Sequence, residues 1–194
     1  MEYMIWIWLG AAVVFGILAR IEDYKGHLYL VHAAKLLKEH GRSGFRVLIA
    51  GTGSFEEDVA RAVVEMGVED VVQMLGFRAD VAALLNILDV QLNASYGTEA
   101  TSLALLEGMS LGLPTIASDY GGNPWLVTDG ENGLLFPSRD SQSMAKAMAH
   151  LMDRPEERRE MELRYAEHAK QYTLEHSIQQ TEEMFRMAIR EQRG

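Results

Sequence analysis

Polar and apolar positions along this chain switch between two periods. Short apolar runs of three to six residues read as strands: Phe45–Ala50 (FRVLIA), Val71–Leu75, Asp89–Asn93 (DVQLN), Thr115–Ala117 and Leu134–Phe136. Such runs lack strict alternation, as strands covered on both faces do. Between them, apolar residues recur every three or four positions, the spacing of one helix face. Gly26–Glu39 carries Leu28, Val31, Ala34 and Leu37 on that spacing and stops at Gly41. Phe55–Met66 opens with Glu56, Glu57 and Asp58, which suit the positive end of a helix dipole, with Ser54 placed to cap it and Gly67 to end it. Asp80–Leu88 reads as a short helix. Another starts near Thr101, carries Glu107 in its second turn and breaks at Gly112-Leu113-Pro114. Further helices are expected near Pro124–Thr128, from Asp140 or Ser141 to Met152, from Pro155 to Tyr172, and from Leu174 to Arg190. Strands alternating with helices in this way predict an α/β fold, a doubly wound parallel sheet with helices on both faces.

The amino-terminal run, Met4–Ala19 (MIWIWLGAAVVFGILA), has three readings. A membrane-spanning helix needs ~20 apolar residues, and this run ends at Arg20. A signal peptide needs basic residues ahead of its apolar core, and only Glu2 stands there. A buried strand over Ala12–Ala19 fits the alternation that follows. The domain is therefore drawn from residue 13 to residue 194, and residues 1–12 form a separate apolar segment without an assigned role.

Length and charge narrow the function classes. A chain of 194 residues, 48% hydrophobic and 24% charged, has the material for one domain with a core. A net charge of −10 argues against a nucleic-acid partner, while leaving room for a local basic pocket. The absence of cysteine removes disulfides, thiolate metal sites and a cysteine nucleophile, and fits a cytoplasmic protein. The six histidines (His27, His32, His40, His150, His168, His176) lack metal-ligand spacing, and most are expected on polar helix faces.

In a doubly wound sheet, ligands bind beyond the carboxyl ends of the strands, where strand order reverses. The loops expected there are Arg20–Gly26, Gly51-Thr52-Gly53, Gly76-Phe77-Arg78, Ser95–Glu99 and Asp119–Gly122. Arg20 and Lys25 read either as two solvated surface cations or as a clamp for phosphate oxygens, one a planar fork and the other a point charge. Gly51-Thr52-Gly53 lacks the third glycine of a dinucleotide fingerprint and reads alone as a tight turn. Glu99 and Glu107 stand eight positions apart, one before and one inside a helix whose free amides lie between them.

Taken in order, these motifs carry a resemblance. Arg20-x4-Lys25-Gly26-His27, Ala50-Gly51-Thr52-Gly53, Leu75-Gly76-Phe77, Glu99-x7-Glu107, Gly112-Leu113-Pro114 through Gly121-Gly122, and Asp129-Gly130-Glu131-Asn132-Gly133-Leu134-Leu135-Phe136-Pro137 stand in one register. The series resembles the C-terminal domain of group 1 (family 4) retaining glycosyltransferases, one Rossmann-like half of the GT-B fold. The resemblance implies a catalytic set of Glu99, Arg20 and Lys25, with Glu99 near the donor sugar and the two cations neutralising the departing diphosphate. It places Glu107 on the ribose and the amides of Ala100, Thr101, Ser102 and Leu103 on sugar hydroxyls or phosphate. It also assigns Gly51, Gly53, Gly76, Phe77 and Arg78 to the donor site, the last three beside the base.

The implied substrate is a nucleoside diphosphate sugar, with no cofactor and no metal. The implied partner is an N-terminal acceptor-binding domain, for which this chain has no room. Self-association through the face that domain would cover, and a cytoplasmic location peripheral to the inner membrane face for the full-length enzyme, follow from the same resemblance. Trp125 stands where the family commonly has Glu. The alternative reading is a non-catalytic nucleotide-sugar-binding or protein-interaction module that has kept the half-fold.

Overall fold

A computed structural model describes residues 13–97, 102–169 and 174–191. Six strands form one sheet: β1 (Val13–Leu18), β2 (Phe45–Ala50), β3 (Val72–Gly76), β4 (Val90–Asn93), β5 (Thr115–Ser118) and β6 (Gly133–Phe136). Every pairing is parallel, in the order β3-β2-β1-β4-β5-β6. The second half of the amino-terminal apolar run is therefore β1, inside the sheet and paired on both edges. It spans one residue less at each end than Ala12–Ala19; residues 1–12 lie outside the described residues. Among the described residues no helix is long and apolar enough to cross a membrane.

Alternate residues of each strand feed two cores. Phe15 and Ile17 of β1, Phe45, Val47 and Ile49 of β2, Val90 and Leu92 of β4, and Ile116 of β5 face one side. There they meet α1 (His27–Glu39), α2 (Glu56–Glu65) and α6 (Ser141–Asp153). Val14, Leu48 and Ala50 face the other side with Leu84 and Leu85 of α3 (Val81–Leu85). Ala117 meets Leu105 and Met109 of α4 (Leu103–Ser110), Leu126 of α5 (Asn123–Leu126) and Tyr165 of α7 (Pro155–Ala169). The last element among the described residues is α8 (Leu174–Glu191). Each fully buried side chain of the Phe15 or Leu48 class contributes roughly 1.5–3 kcal/mol.

Two local expectations change. Ser54 does not cap α2; its hydroxyl donates to Glu22 at 2.5 Å, and Phe55 holds the cap position without a side-chain bond. The helix expected over Asp80–Leu88 is shorter because the chain must leave it early. Leu88 packs where a Cβ on Gly16 would lie, 2.4 Å from Leu88 Cδ1. Asp89 then turns its carboxylate to accept the Val14 N–H at 2.7 Å.

His27, the first residue of α1, is fully buried rather than on a polar face, and neither ring nitrogen has a hydrogen-bond partner. Burial, and secondarily the charge of Lys25, lowers its pKa from 6.5 to about 4. The folded state thus favours neutral imidazole. Its contribution is intact above pH 6.5 and is lost as pH falls through the window from 6.5 to 4. Between pH 7 and pH 5 this residue should account for a loss of about 2 kcal/mol. Denaturant unfolding of His27→Leu should show a correspondingly flatter pH dependence; equal losses in the two proteins would rule out this source.

Candidate functional site

Strand order reverses between β1 and β4, and a crevice opens beyond Leu18 and Asn93. The loop leaving β1 does not wander into it. Ala19 N–H donates to the Ala50 carbonyl at 3.1 Å, Ile21 N–H to Thr52 at 3.0 Å, and Phe55 N–H returns to the Ile21 carbonyl at 3.0 Å. This extended pairing needs glycine on the partner loop. A Cβ on residue 51 would lie 1.9 Å from the Ala19 oxygen, and one on residue 53 would lie 2.2 Å from the Ile21 oxygen. The loop then makes a 3-10 turn over Asp23–Lys25 and reaches Gly26 at φ 76°, where a Cβ would lie 2.0 Å from the Ala94 oxygen. Backbone contact on both sides thus sets where Arg20 and Lys25 leave the chain.

Helix α4 is seated from below. Gln91 of β4 is fully buried and donates through Nε2 to the Ala104 carbonyl at 2.7 Å. Gly108 makes the space, since a Cβ there would lie 1.8 Å from Gln91 Oε1. Ser102 caps α4 by accepting the Leu105 N–H at 3.3 Å, so the helix begins two residues later than Thr101. The capping hydroxyl satisfies a first-turn amide and defines the start.

Two adjoining hollows share Leu18, Ala19, Arg20 and Ala104. One, of about 280 Å³, brings Lys25 and Asn93 together with Ser102, Leu103, Ala104 and Leu105 of the α4 amino end. The other, of about 240 Å³, brings Gly51, Thr52, Phe77 and Arg78 together with Glu107. Arg20 lines both. Gly53 and Gly76 line neither: Gly53 serves the backbone approach just described, and the Gly76 carbonyl accepts the Gly51 N–H at 2.8 Å. Glu99, Ala100 and Thr101 lie outside the described residues.

The cations are already oriented. Arg20 Nη2 donates to Glu22 Oε1 at 2.5 Å, and Glu22 Oε2 accepts from Ser54 Oγ at 2.5 Å. The Ser54 hydroxyl, and after it Arg20, hold the Glu22 carboxyl below its usual range against partial desolvation. Sequence reasoning missed this triad. Its only trace is a polar residue two places after Arg20 and another directly after Gly53. Arg78 folds back onto Asp80 through Nε at 2.8 Å and Nη2 at 2.5 Å, which lowers the Asp80 pKa. The Lys25 ammonium lies 5.7 Å from the Tyr24 ring centroid. Around the crevice Phe77 and Leu103 are exposed. Among the described residues no group of three His, Asp or Glu side chains is arranged to hold a metal ion.

A parallel sheet of this strand order, with a capped helix and two cations at its switch point, defines a Rossmann-like ligand-binding domain. The family model described as "Glycosyl transferases group 1" matches residues 12–154, and the chain belongs to that family. The D-inositol 3-phosphate glycosyltransferase of Corynebacterium efficiens is 31% identical over 169 residues, covering 84% of this chain and 40% of that protein. Anabaena Alr3699/HepE, solved in complex with UDP, superposes with a TM-score of 0.86 at 22% identity, covering 96% of this chain and 51% of that one. The C-terminal domain of a group 1 glycosyltransferase (LpcC) from Francisella tularensis superposes with a TM-score of 0.74 at 23% identity, covering 84% of this chain and 87% of that one. The fold is thus one half of GT-B, and the chain spans less than half the length of the curated relatives it matches.

The close approach behind the Arg20 loop predicts an asymmetry between glycines. Gly53→Ala should lower the unfolding free energy by about 3 kcal/mol through overpacking against the Ile21 carbonyl. Gly67→Ala, at φ 62° with nothing within 4 Å, should lower it by only about 1 kcal/mol. Equal effects in thermal or urea unfolding would contradict the crowding.

Proposed function

We propose that this chain is the donor-binding domain of a retaining glycosyltransferase that takes its sugar from a nucleoside diphosphate sugar. The observation that carries the reading is the convergence of Arg20, Lys25 and the amino end of α4 on one hollow at the strand-order switch. A diphosphate bears charge that these groups match: a guanidinium fork, an ammonium and helix-end amides. Glu107, in the adjoining hollow beside Gly51, Phe77 and Arg78, suits the ribose hydroxyls and the base side of the nucleotide. Glu99 completes the set near the donor sugar in this reading.

Transfer with retention breaks the bond between the sugar and the leaving diphosphate while the acceptor hydroxyl attacks from the same face. The departing phosphate takes up the acceptor proton. Negative charge grows on the diphosphate, and groups fixed in advance stabilise it most effectively. Arg20 and Lys25 supply those charges, so the reading includes neither a metal nor a cofactor. The acceptor would be held by a second domain, met across the crevice where Phe77 and Leu103 are exposed. Without that domain, this face favours self-association and the chain transfers little or no sugar.

Titration calorimetry of this chain with UDP, GDP and ADP tests the reading. At least one should bind, and Arg20→Ala and Lys25→Ala should each weaken it about tenfold or more, the scale of a lost charge-assisted hydrogen bond. No binding at millimolar ligand would remove the reading. Binding untouched by either substitution would favour a non-catalytic module with its ligand elsewhere.

A further inference from the structure

The loop leaving β4 toward α4 is fastened by residues that the donor-site reading does not use. The Ser95 N–H donates to Asn93 Oδ1 at 3.0 Å, and the Ser95 carbonyl accepts from Ser118 Oγ at 2.6 Å. The Tyr96 N–H donates to the Tyr24 carbonyl at 2.8 Å. Gly97 lies so near the β1 loop that a Cβ on it would be 2.9 Å from Tyr24 Cβ.

The Tyr96 side chain is gripped from three directions. The Arg139 guanidinium lies over its ring, 4.3 Å from the centroid. Tyr29 of α1 meets the ring edge to face at 5.7 Å and 89°. The hydroxyl hydrogen-bonds Asp23; partial burial, and next this bond, push the phenol up to about 12, so it remains a donor at neutral pH. Arg139 reaches Tyr96 from the loop after β6 with φ 66°, and is the only non-glycine residue with positive φ among the described residues. Glycine adopts that conformation freely, whereas residues with a Cβ resist it. A long cationic side chain kept there points to its contact with Tyr96 as what holds the strained backbone in place.

We propose that Arg139, Tyr96 and Asp23 are positioning residues that lock the β4–α4 loop against the β1 loop, and so hold the amino end of α4 in register with Arg20 and Lys25 for a nucleoside diphosphate. The loops after β1, β4 and β6 thereby become one unit. Only four residues of chain separate Gly97 from the Ser102 cap, so where the Tyr96 loop is fastened limits where α4 can begin. This inference rests on the donor-site reading and adds to it a group that never touches the ligand.

Arg139→Gly is the informative variant, because it removes the guanidinium and relieves the backbone together. Its thermal midpoint should equal or exceed that of the unaltered chain. Amide hydrogen exchange at Ser95–Gly97, measured without ligand, should rise about tenfold, and UDP affinity by calorimetry should fall about fivefold. Arg139→Lys keeps a cation over the ring and should stay within about twofold of the unaltered chain. Unchanged exchange in Arg139→Gly would mean there is no clamp. Faster exchange with unchanged UDP affinity would overturn the positioning role. If the unaltered chain binds GDP or ADP instead of UDP, the affinity arm is read with that nucleotide; if it binds none of the three, the donor-site reading fails and the positioning role falls with it, while exchange alone decides whether the loops are clamped.

Discussion

The Ala19 and Ile21 carbonyl oxygens occupy the space where residues 51 and 53 would carry side chains, and the rest of the crevice depends on that contact. It carries the β1–β2 pairing past the formal end of the sheet, so the loop bearing Arg20 is an extension of the scaffold rather than a free turn. Gly26 does the same against β4. Cations on a loop held this way have little conformational entropy left to lose on meeting an anion. Rigidity here comes from bare backbone, which is why glycines cluster beside the charged residues.

Charge is handled with equal economy in an acidic chain. Glu22 and Ser54 engage Arg20, and Asp80 engages Arg78, so two of the cations lining the crevice are held in defined geometry. Exposed ion pairs of this kind contribute little to stability; their effect is orientation. An incoming diphosphate would compete with or share the Arg20 pairing, while Lys25 lines the same hollow with the α4 amino end.

Much of the fold was legible in the pattern of apolar runs, because strands covered on both faces leave a strong local trace. Phe45–Ala50 is β2 as read, and the remaining strands shift by a residue or so at their ends. The second half of the run weighed as a membrane segment is β1, since a central parallel strand needs the same apolar residues as a lipid-facing helix over a shorter span. That Arg20 shares one hollow with Glu107 and the adjoining one with Lys25 follows from topology and was readable. The Glu22–Ser54 bond links residues 32 apart, and the Arg139–Tyr96 contact joins two loops from different crossovers; neither leaves a local signature. The burial of His27 was not legible either, because burial of a first-turn residue depends on what packs over it.

The most direct test of the central claim is a backbone NMR titration of this chain with UDP. The account predicts that amide shifts concentrate at Ala19–Gly26, Gly51–Thr52 and Ser102–Leu105, around the switch point between β1 and β4. Shifts confined to the hollow at the other end of the sheet, around Asn86, Asp89, Pro114 and Arg159, or to the groove between α1 and α6, would contradict it.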